Sequence, residues 1–356
     1  MVDKTAPKFQ RTLDLLRNPE ASFTAEATYS LSDLTLEQMD ALRTIWPDIP
    51  ADRRRDLLLR LVDIAETNFE LDYSSVIRLA LDDPDPEVRI AAIEGVTEDS
   101  PLNIAERLIE LAQKDNFASV RAAAVGALGY FILQGELGKI PERMSQRVQD
   151  VALKLHNNLN EDIDVRRRAL EAISNSTRDE VPDLIREAYD DDELLMRVSA
   201  VFAMGRTCDD MWSQQVMDEL SSEYPQMRYE AARAAGEIEL RKALPRLSEM
   251  AYDDDREVQE MAIWSMGEIG GQAASALLNQ LAVLAEENGD EELSTAISEA
   301  LSAASLVGED LLPMLDFSEY EDDFEDDEFE EFEGFDVGLD LEDAEEDDDD
   351  REDHGF

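Results

Sequence analysis

The sequence contains few of the side chains that most often carry out catalysis or bind metals. Its 356 residues include one cysteine, Cys208, and two histidines, His156 and His354. A single cysteine excludes a disulfide within the chain. Two asparagines follow His156 at a predicted helix end, which favours a structural role for its imidazole. We therefore predict no catalytic residue, no cofactor-binding residue and no metal ligand.

Positive charge and long apolar runs are also scarce. Lys and Arg total 32 against 86 Asp and Glu, so the net charge is -54, which repels a phosphate backbone and excludes nucleic acid as a direct partner. The uncharged run over residues 122–135 has 14 residues, fewer than the roughly 20 needed to cross a bilayer. The first residues contain no apolar stretch of signal-peptide length. We expect a cytoplasmic protein with no membrane partner.

Acidic side chains are abundant, and they are densest at the C-terminus. Residues 316–356 hold 24 acids and one base, which leaves 62 acids and 31 bases in residues 1–315. Such a segment buries too little apolar surface to fold alone. We predict an N-terminal extension over residues 1–34, a capping helix pair over 35–72, a repeat region over 73–305 and a disordered acidic tail over 306–356.

A short block of residues occurs six times in the predicted repeat region. The first copy, residues 85–95, reads DPEVRIAAIEG, and the last, residues 258–267, reads VQEMAIWSMG. The position after the valine or methionine falls at 89, 121, 166, 197, 228 and 259, so the spacings are 32, 45, 31, 31 and 31. Small and apolar residues recur with helical periodicity in each copy, and a second apolar helix precedes each. The pattern predicts stacked helix pairs.

This pattern, Asp-x-x-Val-Arg-x-x-Ala-x-x-Ala-Leu-Gly, resembles the HEAT repeat, in the short form also found in phycobilisome lyases. The resemblance implies an all-α protein, an α-solenoid of stacked antiparallel helix pairs. It leaves a bilin lyase or isomerase activity open as the alternative function. The class also includes deoxyhypusine hydroxylases, whose di-iron site uses His-Glu dipeptides. No such dipeptide occurs here, so we reject the hydroxylase interpretation.

The arginines of the repeated block have a structural interpretation. Acids such as Asp85, Asp115, Asp164 and Asp192 occur in the turns before them, which predicts a ladder of Asp–Arg pairs joining neighbouring repeats. The arginines of this ladder are Arg89, Arg121, Arg166, Arg197 and Arg228. The three tryptophans lie on the apolar faces or at the ends of predicted helices, so we expect Trp46, Trp212 and Trp264 to pack in the core.

Two features suggest contact with a partner. Arg167 and Arg168 belong to one of the densest basic spots, and we hypothesise that the tail covers this spot transiently. The tail carries aromatic residues among its acids, of which we select Phe324, Phe329, Phe332 and Phe335 as partner-binding residues. We therefore predict a monomeric, non-enzymatic protein-binding scaffold or adaptor, which uses the concave face of the solenoid and the tail and has a protein partner that is basic.

Overall fold

Helices make up most of the part of the chain that the structure describes, and that part contains no β-strand. The structure is a computed structural model, and it describes residues 6–68, 70–97 and 100–307. The helices are α1 (Ala6–Arg17), α2 (Ala25–Tyr29), α3 (Leu36–Ile45), α4 (Ala51–Thr67), α5 (Ser74–Ala80), α6 (Pro86–Glu94), α7 (Leu102–Lys114), α8 (Ala118–Glu136), α9 (Glu142–His156), α10 (Ile163–Ile173), α11 (Val181–Tyr189), α12 (Leu194–Arg206), α13 (Ser213–Glu219), α14 (Pro225–Glu237), α15 (Leu244–Met250), α16 (Arg256–Ile269), α17 (Gly271–Asn288) and α18 (Glu291–Val307). Short 3-10 helices lie at Trp46–Asp48, Asp210–Trp212 and Arg241–Ala243.

Helices α3 to α18 form consecutive pairs, each with an odd-numbered first helix and an even-numbered second helix. Every second helix packs against the next one, from α4 on α6 through to α16 on α18. First helices of neighbouring pairs also touch, for example α7 and α9. This arrangement confirms the predicted all-α solenoid of stacked helix pairs. The capping pair predicted over 35–72 corresponds to α3 and α4, and the predicted extension contains α1 and α2. Residues 308–356, nearly all of the predicted tail, lie outside the described residues.

Aspartates at the start of the repeated block begin several of the second helices. The Asp85 side chain accepts from the backbone N–H groups of Glu87 and Val88 at the start of α6. Asp255 does the same at the start of α16, and Asp162 caps α10. A carboxylate in this position satisfies N–H groups that have no partner inside the helix and also interacts favourably with the helix dipole. The aspartate of the motif therefore marks where each of these helices begins.

The second helices approach each other closely at glycines of the motif. A Cβ atom added to Gly236 on α14 would lie 3.0 Å from the Cα of Ser265 on α16. One added to Gly267 on α16 would lie 2.9 Å from the Cα of Ala300 on α18. Distances this short leave no room for a methyl group beside a backbone, so glycine sets the spacing between successive pairs.

The one long spacing in the repeat has a local cause. Helix α8 extends over Ala118–Glu136, 19 residues, whereas α6 has 9 and α10 has 11. The chain then turns at Gly138, whose φ of +67° lies in the left-handed region that glycine adopts without strain. The additional length of α8 and this turn produce the 45-residue interval expected from the sequence.

Candidate functional site

Three of the five predicted ladder arginines join one helix pair to the next. Arg89 on α6 donates from Nη2 to Asp115 Oδ1 over 3.0 Å, and Asp115 lies in the turn between α7 and α8. Arg121 reaches Glu161 over 2.6 Å. Arg228 makes two bonds of 2.7 Å to the carboxylate of Asp253. These arginines also donate to the backbone carbonyl six residues earlier, as Arg89 does to that of Asp83 over 2.7 Å.

Arg166 and Arg197 have no carboxylate partner within 4.0 Å in the described residues. Arg197 keeps the bond to the carbonyl six residues earlier, that of Asp191, over 2.9 Å. Arg166 instead bonds to the carbonyl of His156 over 3.1 Å. The ion-pair row is therefore interrupted on both sides of the α11/α12 pair.

The carboxylates of this row differ from those expected from the sequence. The acid that pairs with a given arginine lies in the turn of the following helix pair, so Asp115 pairs with Arg89 and not with Arg121. Asp85 caps α6 instead of joining the row. Of the acids named from the sequence, Asp115 therefore joins neighbouring repeats as predicted, to an arginine 26 positions away, whereas Asp164 pairs with Arg167 of its own helix.

Two members of the row were missed by reasoning from the sequence. Arg54 on α4 donates to Asp83 Oδ1 over 2.9 Å, and Trp46 Nε1 donates to the other oxygen of the same carboxylate over 2.7 Å. Arg256 on α16 pairs with Asp290 over 2.9 Å. The signal for Arg54 was its place in the helix, because it is the fourth residue of α4, as Arg89 is of α6.

Arg167 and Arg168, the predicted basic spot, are engaged by acids of their own helix. Arg167 bonds to Asp164 over 2.6 Å, and Arg168 bonds to Glu171 over 2.6 Å. Glu171 also accepts from the hydroxyl of Ser199 on α12 over 2.5 Å. The residues chosen to meet them, Phe324, Phe329, Phe332 and Phe335, all lie outside the described residues. Because both guanidinium groups already have carboxylate partners, little positive charge remains there for a ligand.

A groove on the second helices offers a different surface. It has a volume of about 690 Å³ and lies along α14, α16 and α18, and Trp264 is among the residues that line it. Its apolar and aromatic lining comes from Tyr229, Met261, Trp264, Ala296, Ala300 and Ala303. Trp264 is 39% exposed, so the prediction that it packs in the core is wrong. Trp46 and Trp212 are buried, with 5% and 1% of their surface exposed. An indole exposed in a groove is a common anchor for a partner.

Four carboxylates line the same groove. They belong to Glu257, Glu260, Glu268 and Glu299. Glu260 accepts from Arg256 over 2.9 Å, and the other three have no basic partner within 4.0 Å in the described part of the chain. Burial, and then the neighbouring Glu230 carboxylate, raise the pKa of the Tyr229 hydroxyl. The groove therefore combines aromatic side chains with three carboxylates that lack a basic partner.

The second-helix surface next to the groove is internally neutralised. Arg233 bonds to Glu230 and Glu237 over 2.7 Å each, and its guanidinium lies 3.9 Å from the ring centre of Phe202. Burial raises the pKa of the Glu230 carboxyl, an effect that Arg233 opposes. Arg206 adds a bond of 3.1 Å to Glu237. The uncompensated negative charge of this face is thus concentrated toward α16 and α18.

Residues that could support catalysis are placed unfavourably. His156 is buried, with 6% of its surface exposed, and this burial lowers the pKa of its imidazole. Partial burial and then Glu237 raise the pKa of the Cys208 thiol, which disfavours the reactive thiolate. In the described residues no three His, Cys, Asp or Glu side chains gather in a way that could hold a metal ion. No helix among those residues combines the length and apolarity needed to cross a bilayer.

The repeated helix pairs are similar to those of known repeat proteins. A family model described as HEAT repeats matches residues 74–141 and 213–302. No curated protein matches the chain. Among solved structures, YibA of Escherichia coli is similar, at 16% identity, 86% coverage of this chain, 98% of that chain and a TM-score of 0.41. Human deoxyhypusine hydroxylase is similar at 18% identity, with 76% of this chain and 96% of that chain covered and a TM-score of 0.34. Importin beta is similar at 13% identity, with 84% of this chain and 46% of that chain covered and a TM-score of 0.41.

Proposed function

We propose that this chain, whose residues 74–141 and 213–302 match a family model of HEAT repeats, is a non-enzymatic scaffold that binds a basic segment of a protein partner in the groove of α14, α16 and α18. The observation that carries the proposal is the exposed indole of Trp264 in a groove that four glutamates also line. Stacked helix pairs present extended surfaces that suit protein recognition.

The chemistry of the groove defines the segment that it binds. Lysine or arginine side chains of the partner stack on Trp264 and Tyr229 and form ion pairs with Glu257 and Glu299. Apolar side chains contact Met261 and the alanines of α18, which form the floor. An amphipathic helix with one basic and one apolar face supplies both kinds of contact at once. The partner segment is therefore basic and amphipathic.

The test measures binding of a fluorescent amphipathic peptide built from lysine and leucine to the full chain. Trp264→Ala should weaken binding about tenfold, the size of one desolvated cation–π contact with its packing. Tyr252→Ala is the matched control, since Tyr252 is an aromatic residue 58% exposed outside the groove. Equal affinities of the two variants, or equal binding of a glutamate and leucine peptide, would refute the proposal.

We further propose that the acidic residues 316–356 act as a second, electrostatic element toward the same partner. Their 24 acids and their aromatic residues support this role. Deleting residues 318–356 should lower the affinity for the lysine and leucine peptide if they dock it, and raise the affinity if they compete with it. An unchanged affinity at low salt would leave only a solubilising role.

A further inference from the structure

A second groove lies on the first helices and has the opposite polarity. It is formed by α7 and α9, has a volume of about 370 Å³, and carries Arg143, Arg147 and Lys154 along α9. Ile109 of α7 and Val151 of α9 form its floor. None of the glutamates around Trp264 takes part in it, because it belongs to a different row of helices and to different pairs. We call it the α9 groove.

The three cations of the α9 groove lack acidic partners. All three side chains are exposed, and no carboxylate of the described residues lies within 4.0 Å of Arg143, Arg147 or Lys154. Asp150, the acid that lines the groove, pairs with Arg178 over 2.7 Å, and Arg178 also contacts Glu180 over 3.4 Å. In a chain with 86 acids and 32 bases, a groove with uncompensated positive charge is unusual and points to an anionic ligand.

The spacing of the cations indicates the shape of that ligand. Arg143 and Arg147 are one helical turn apart, and Lys154 follows seven residues later, so all three lie on one face of α9 over roughly 17 Å. A line of this length matches a few residues of an extended or helical polypeptide. Gln113 lines the same groove and supplies an amide donor for carboxylate oxygens, whereas Gln146 Nε2 already donates to Glu142 over 2.7 Å.

We propose that the α9 groove is a docking site for an acidic segment of a partner protein. Carboxylates of that segment pair with Arg143, Arg147 and Lys154, and an apolar side chain between them contacts Val151. A nucleic acid fits less well, because its phosphates continue beyond the three cations along a surface of net negative charge. The site goes beyond the proposed function, since it selects a ligand of the opposite charge and uses none of the residues of the Trp264 groove.

The experiment compares two variants with the same loss of charge. The probe is a fluorescent peptide rich in glutamate with interspersed phenylalanine, added to the full chain at physiological salt. Arg143→Gln with Arg147→Gln should weaken binding about tenfold or more, since two charge-assisted bonds are removed. Arg241→Gln with Lys242→Gln is the control, because these cations are exposed and lie outside the groove. Circular dichroism melts check that both variants fold equally well.

The remaining outcomes each decide the question. Equal losses in the two double variants would show that only overall charge matters and would overturn the proposal. Tighter binding of a single-stranded oligonucleotide than of the peptide, lost in the Arg143 and Arg147 variant, would assign the groove to nucleic acid instead. Peptide binding seen only after deletion of residues 308–356 would show that the occupant is this chain's own acidic segment, and the partner protein would be ruled out.

Discussion

His156 and Arg166 each bind the backbone carbonyl of the other. The Nδ1 atom of His156 lies 3.1 Å from the carbonyl oxygen of Arg166, and Arg166 Nε donates to the carbonyl oxygen of His156 over 3.1 Å. The two bonds join the last residue of α9 to the fourth residue of α10. Because the carbonyl accepts, Nδ1 carries the proton, which fixes the tautomer of the buried ring.

The stability of the chain should depend on the protonation of His156. Burial lowers the pKa of this imidazole below 6.5, so between 6.5 and its folded pKa the unfolded chain binds a proton that the folded chain does not. The free energy of unfolding should therefore fall as the pH drops through this window, by up to about 1.4 kcal/mol per pH unit.

The variant His156→Gln provides the comparison for this prediction. Urea unfolding at several pH values should give a shallower decline from pH 6.5 to pH 5 for the variant than for the native chain. Parallel curves for the two proteins would contradict the assignment of that decline to His156.

The Arg228–Asp253 pair should contribute measurably to stability. Its side chains are 15% and 10% exposed, and Gln259 at the equivalent place in the next repeat already donates to the carbonyl of Asp253. Arg228→Gln can therefore keep the carbonyl bond to Ser222 and lose the ion pair. We expect the free energy of unfolding to fall by about 2 kcal/mol.

A double-mutant cycle with Asp253→Asn isolates this interaction. Its dependence on pH is a second readout, because the bonds from Arg228 lower the pKa of the Asp253 carboxyl below 3.8. The stabilisation is present above pH 3.8 and is lost as the pH falls through the folded pKa, so the difference between the native chain and Arg228→Gln should shrink in acid. Additive single effects at neutral pH would show that the pair contributes nothing of its own.

Two glycine substitutions should have opposite effects on stability. A methyl group at Gly236 meets the Cα of Ser265 at 3.0 Å and must push α14 and α16 apart, so Gly236→Ala should cost about 1–3 kcal/mol. Gly126 on α8 has no atom nearer than 3.9 Å to an added Cβ. Gly126→Ala should therefore stabilise the helix by about 0.5–1 kcal/mol. Denaturant titrations that show the same sign for both would rule out the close-approach argument.

The buried Trp212 and the exposed Trp264 should differ in how much they contribute to the free energy of unfolding. Trp212 is 1% exposed and its Nε1 donates to Thr207 over 3.1 Å. Trp212→Ala should lower the free energy of unfolding by about 3–5 kcal/mol, and Trp264→Ala by at most about half as much, because Trp264 leaves a smaller cavity. Thermal melts of the two variants give the comparison, and a larger loss for Trp264→Ala would mean that this residue belongs to the core.

The sequence predicted the fold well because each of its signals is local and repeated. Asp85 and Asp255 begin helices through bonds to residues two and three positions away, and Gly236 recurs at a fixed place in the motif. Such features are visible without knowing which residues meet in space. The six copies located the second helices from α6 to α16, whereas the α17/α18 pair carries no copy of the block.

The candidate sites were harder to predict because they depend on contacts between pairs. Trp264 occupies the same position of the repeat as Phe202 and Arg233, and Arg233 is a residue that a core position would not tolerate. Comparing the copies column by column would have indicated an outward position. The cations of the α9 groove gave no such signal, since their lack of carboxylate neighbours depends on how α7 and α9 pack.

The interruption of the ion-pair row at Arg166 and Arg197 has a mechanical consequence. Ion pairs between turns join the four pairs from α3 to α10 in one section and the three pairs from α13 to α18 in another. The α11/α12 pair lies between the two sections without a link of this kind. The ion pairs that do join it to its neighbours, Arg178–Asp150 and Arg206–Glu237, lie away from those turns. The turns on either side of the α11/α12 pair should therefore separate more readily than the other turns of the row when the solenoid bends.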